Sequence, residues 1–95
     1  MVNIRRIVLD VQKPHDPPIL LLAKEIADID GVDGVNITIF EMDRKVENVK
    51  LTIEGQNIPY ETIKKQIESQ GGTIHSLDEV AAGKAIVEEV KTPQW

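Results

Sequence analysis

An α+β domain of order β-α-β-β-α-β is predicted by three features of the sequence. Strand-like segments alternate apolar and polar residues, two further segments repeat apolar residues at helical spacing, and proline or glycine punctuates the junctions. The compact solution for that order is a split βαβ unit: four antiparallel strands in spatial order 4-1-3-2, with both helices on one face. Right-handed crossovers set its hand.

Each element follows from its residues. In Ile4 to Lys13, Ile7, Leu9 and Val11 share one face while Arg6, Val8, Asp10 and Gln12 share the other, the pattern of a half-buried strand. Asp16 suits an N-cap and Pro17 the first helical position. Ile19, Leu22, Ala23, Ile26 and Ile29 then form one apolar helical face, which the Asp30–Gly34 turn stops. Val35 to Asp43 and Val46 to Glu54 read as the second and third strands, joined near Asp43-Arg44-Lys45. Pro59 opens a second helix with Tyr60, Ile63 and Ile67 inward, and Gly71-Gly72 supplies a left-handed end. Thr73 to Leu77 is the fourth strand. Residues 1–83 thus form the domain, and 84–95 an arm whose Lys84–Val90 stretch is apolar enough to want a partner. Trp95 reads as a frayed or partner-docked end. The uncovered sheet face is expected to carry Arg6, Asp10, Thr38, Phe40, Lys50 and Thr52.

Composition narrows the function. The 95 residues hold 16 Asp and Glu against 11 Lys and Arg, a formal net charge of −5, and no cysteine. Disulfide scaffolds, Cys-ligated zinc and iron–sulfur clusters are excluded, and a net acidic chain disfavours phosphate-backbone binding. The central strands also offer no aromatic platform for stacked bases, so nucleic acid is not expected as a partner. No apolar run reaches membrane-span length and MVNIRRIVLD lacks a signal-peptide core, so a cytoplasmic protein without a membrane partner is expected.

The blocks Lys13-Pro14-His15-Asp16-Pro17, Gly31-Val32-Asp33-Gly34-Val35-Asn36-Ile37-Thr38, Ile74-His75-Ser76-Leu77-Asp78-Glu79-Val80-Ala81-Ala82-Gly83-Lys84 and Thr92-Pro93-Gln94 occur in an order that resembles a short archaeal family, the domain of unknown function number 211. The resemblance spans essentially the whole chain. It implies a ferredoxin-like fold and a ring-like or otherwise oligomeric assembly, with no established activity and no catalytic residues to carry over.

Two polar clusters stand out in the 4-1-3-2 layout. One end gathers Lys13, His15, Asp16, Arg44 and Lys45. His75, on strand four, is expected to approach His15 and Asp16, and two imidazoles with a carboxylate suit a transition metal, or an anion held at a helix N-terminus. The plainer reading makes Asp16 a cap and His75 a surface residue. The other end gathers Asp30, Asp33, Glu54, Asp78 and Glu79. Asp28, Asp30 and Asp33 loosely resemble a calcium loop, but Gly31 is misplaced and Ile39 stands where a bidentate Glu belongs, which excludes an EF-hand. Asp30 and Asp33 with Asp78 and Glu79, from the same or a neighbouring subunit, would suit Ca²⁺, Mg²⁺ or another divalent cation; the plainer reading is a solvated acidic edge.

Enzyme classes fare less well. KPHDPP has neither the glycines nor the arginine of an acylphosphatase-type phosphate loop, and Ser76 points away from its neighbour His75. Asp16-Pro17-Pro18-Ile19-Leu20 resembles the ligand loop of ACT-type regulatory domains, with Pro18 where that loop prefers Gly. The leading expectation is a non-enzymatic homo-oligomer that binds a cation or small ligand at subunit boundaries. The alternatives are an ACT-like regulatory domain or an enzyme assembled across subunits.

Overall fold

The structure, a computed structural model, describes residues 2–92; Trp95 and the Pro93-Gln94 block lie outside them. Its elements are β1 (Ile4–Pro14), α1 (Ile19–Ala27), β2 (Val32–Met42), β3 (Val46–Gly55), α2 (Tyr60–Ser69) and β4 (Thr73–Ala82). The antiparallel sheet runs β2-β3-β1-β4, which is the predicted 4-1-3-2 order read from the opposite edge. The predicted α+β, ferredoxin-like architecture is the one observed.

One phase of the strand alternation builds the core. Ile7, Leu9 and Val11 of β1 and Val49, Leu51 and Ile53 of β3 are buried, and they pack with Leu22 and Ile26 of α1 and Ile63 and Ile67 of α2. Both helices therefore cover the same face. The opposite phase carries cross-strand rows such as Thr38–Lys50–Asp10–Ser76, which leave that face open and polar.

Besides differences of one or two residues at other ends, such as α1 stopping at Ala27 short of Ile29, three boundaries differ from expectation. First, α1 starts at Ile19 with Pro18 as an extended N-cap residue, and no side chain caps it. Pro18 disfavours helical geometry in the residue before it, so Pro17 cannot open the helix and Asp16 sits too far upstream to cap it. Second, β2 begins at Val32 rather than Val35, because β3 extends far enough to pair Gly55 with Val32 across an irregular step at Gly34. Third, β4 continues through Asp78, Glu79 and Val80 to Ala82. Three register shifts against β1 reset its alternation, which hides the second half of the strand from a period-two reading. The predicted left-handed end of α2 is present at Gly71 (φ +80°), whose N–H and that of Gly72 close onto Glu68 and Ile67. Residues 84–92 form no regular structure.

Candidate functional site

The corner where β1 meets the β2–β3 hairpin holds the most enclosed polar group. Lys13 continues the inward series Ile7, Leu9, Val11, so the sheet carries it to the helix-covered side, where it is 1% exposed. Its register partner on β3 is Glu47, in phase with Val49 and Leu51 and 7% exposed. The two form an ion pair of 3.0 Å, and the ammonium also donates to the Pro14 carbonyl at 2.7 Å. Burying charges is costly unless they are paired and hydrogen-bonded, and this pair meets both conditions.

His15 closes the corner. Its Nδ1 lies 3.2 Å from the second Glu47 oxygen and its Nε2 lies 2.7 Å from the Asp43 carbonyl. Both partners are acceptors, so both ring nitrogens must donate, and the arrangement suits the imidazolium. The Glu47 carboxylate and then the Asp43 carbonyl raise the His15 pKa above its ordinary value. Burial pushes the Glu47 carboxyl up, but hydrogen bonds from Lys13 and His15 outweigh it and leave its pKa lowered. The Asp43 carboxylate accepts the Val46 and Lys45 N–H groups, which lower its pKa and shape the turn.

A pH dependence follows. Because His15 is raised in the folded state, its contribution is complete below its ordinary 6.5 and fades as pH rises through the folded value. Because Glu47 is lowered, its contribution is present above its ordinary 4.5 and fades as pH falls through the folded value. The corner is therefore expected to be tightest between roughly pH 4.5 and 6.5. Proton NMR of the imidazole should give a His15 pKa above 6.5, and a value at or below 6.5 would contradict the geometry.

The predicted trio of His15, Asp16 and His75 is not brought together. His15 turns toward β3, whereas His75 lies on β4, on the far side of β1. His75 is 79% exposed and stands 3.6 Å from Asp10 on the open face. Asp16 is exposed in the β1–α1 connection. Lys13 is likewise not part of an open basic end. That leaves Arg44 and Lys45 exposed on the hairpin turn.

The acidic set is also dispersed within one chain. Asp30 is exposed in the α1–β2 turn, and Asp33, at the start of β2, accepts a 3.0 Å hydrogen bond from Gln56. Asp78 and Glu79 lie within β4, at the opposite edge of the sheet, where Asp78 accepts from the Ser76 hydroxyl at 2.7 Å. Among the described residues, no group of three or more His, Asp or Glu stands close enough to hold a metal ion.

The open face carries a cluster that sequence inspection did not foresee. Arg6 binds Glu54 of β3 at 2.8 Å, Glu79 of β4 at 3.4 Å and Glu88 of the tail at 2.8 Å. Glu88, then Glu54, raises the Arg6 pKa, and Arg6 in turn lowers that of Glu88. The register puts Arg6 opposite Glu54, which a strand alignment could have shown. Glu88 carries no such signal, because the tail has no periodicity to place it.

Comparison with known proteins places this sequence in a family. A family model described as "Uncharacterized ArCR", the domain of unknown function 211, matches residues 5–95. The chain belongs to that family. It is also 57% identical over 94 residues to "Uncharacterized protein MJ0319" of the archaeon Methanocaldococcus jannaschii, covering 99% of this chain and 97% of the relative.

In this member of the family, both edge strands carry exposed apolar side chains. Phe40 (58%) and Met42 (56%) lie on β2, and Leu77 (46%) and Val80 (51%) lie on β4. Leu20 and Leu21 of α1, the helix packed against β2, are exposed as well. Among the described residues, no helix is long and apolar enough to cross a membrane.

Proposed function

We propose that this chain is a non-enzymatic, cytoplasmic self-assembling module whose subunits associate through the two edges of the sheet. The observation that carries this reading is the coincidence of unpaired strand edges with Phe40 and Met42 on β2 and Leu77 and Val80 on β4. An edge strand presents unused N–H and C=O groups, and charged side chains normally protect it from adding another strand. Asp33 and Glu41 on β2 and Asp78 and Glu79 on β4 give these edges some charge, yet large apolar groups sit exposed among them. The two edges differ in sequence, so β2 of one copy meeting β4 of the next is a heterologous contact, which closes into a ring when the rotation allows. The family resemblance likewise implies a ring-like or otherwise oligomeric assembly.

The test is Leu77→Lys. A lysine on the β4 edge would be desolvated without a partner at the interface, which weakens association by at least about tenfold. Light scattering at fixed concentration should show particle mass falling toward that of one chain. An unchanged mass for a variant that keeps its circular dichroism would overturn the edge-pairing reading.

A further inference from the structure

The Arg6 cluster joins two parts of the chain of very different character. Glu54 and Glu79 are fixed by the sheet, on the strands that flank β1. Glu88 arrives on a segment without regular structure, which leaves β4 at Gly83. Gly83 takes φ +115° to turn the chain out of β4, and the turn is held in place: its N–H donates to the Asn3 carbonyl at 2.9 Å, and Arg5 Nη1 donates to the Lys84 carbonyl at 2.8 Å. Beyond Lys84, the tail gains little from its own domain. Ile86 is half-buried, but Val87 is 80% and Val90 85% exposed, and the Glu88 side chain itself is 69% exposed. An exposed ion pair is a weak clamp, and here it holds a segment whose valines stay in water.

Arg6 nevertheless favours a third carboxylate. Its Nη1 reaches Glu79 only at 3.4 Å, whereas Glu88 meets the same nitrogen at 2.8 Å. The guanidinium edge is thus completed by the tail and left loosely filled without it.

We propose that the tail is exchanged in the assembly, so that Glu88 of each chain docks on Arg6 of a neighbouring copy. This inference rests on the self-assembly reading above. Exchange preserves the Arg6–Glu88 contact atom for atom, because the socket is identical in every copy. The tail emerges from β4, whose exposed Leu77 and Val80 mark an edge at which a neighbour would sit.

The chain has no cysteine, so introduced thiols report the contact cleanly. Thr52→Cys places a thiol on the open face, on β3 beside Glu54 and opposite Val8; Val87→Cys places one next to Glu88. Neither change touches Arg6 or Glu88. The two variants, differently tagged and co-expressed so that their subunits mix, are treated with a short bis-maleimide and weighed under denaturing conditions. Exchange predicts a covalent heterodimer at twice the single-chain mass. If the doubly substituted chain links only within itself, and the mixture stays at single-chain mass while the wild-type protein remains a multimer, exchange is overturned and self-assembly stands. If the wild-type native mass is that of one chain, both fail together.

Discussion

Replacing Lys13 with methionine is expected to cost about 3–5 kcal/mol of stability, because it strands the Glu47 carboxylate in the interior with only His15 as a charged partner. Methionine fills most of the space of the lysine stem, so the loss reports charge rather than volume. For a domain of this size the melting temperature should fall by at least about 12 °C, compared at equal protein concentration because any self-association would add to stability. Lys13→Met/Glu47→Leu removes both charges and should regain much of the loss. The recovery separates a buried ion pair from a site where any substitution is damaging. A Lys13→Met protein that melts like the wild type would show that the Lys13–Glu47 contact is dispensable.

Gly31→Ala is expected to cost about 2–5 kcal/mol, from roughly 1–2 for a left-handed backbone and roughly 1–3 for steric overlap. Gly31 has φ +96°, and a Cβ there would overlap the carbonyl oxygen of Asn57. Gly55 is as tightly approached, since its own Cβ would overlap the Gly31 carbonyl oxygen. These glycines let the α1–β2 turn press against the end of β3, which allows β2 to begin pairing at Val32. Gly34→Ala is the control. Three residues away, in open space and without positive φ, it should be neutral or slightly stabilising in the same denaturant titration. Equal losses for the two variants would mean that the close approach at Gly31 plays no special role.

These two sites also mark where the sequence could be read and where it could not. The inward faces of β1 and β3 and of both helices follow from periodicity, since each presents one uninterrupted apolar phase to the core. The second half of β4 escaped the same reading because bulges shift Leu77, Glu79 and Ala81 between phases. Asp16 looked like a cap until the Pro17-Pro18 tandem is considered as a unit, since the second proline moves the helix start. Lys13, expected at an open basic end, and Glu47, for which local pattern carries no expectation, pose a different problem. Charged residues are usually placed at the surface by default, yet both sit in phase with core positions, and their opposite charges face each other across the register. His15 and Asp16 are adjacent in sequence, but the chain turns after Pro14 and sends the imidazole to the hairpin instead of to β4. The tail's Glu88 depends on a non-local return to the open face, which no local pattern encodes.

The dispersal of Asp33 and Glu79 to opposite edges has a consequence for assembly. β2 and β4 are the two edges of the sheet, so in the proposed assembly they would meet when β2 of one copy abuts β4 of another. The polar clusters and the exposed apolar edge residues therefore converge on the same question, whether copies of this chain associate. Native mass spectrometry of the purified protein answers it most directly. A mass that is an integral multiple of 10.6 kDa, collapsing toward one chain in Leu77→Lys, is the predicted result. A single 10.6 kDa species for the wild-type protein would contradict it.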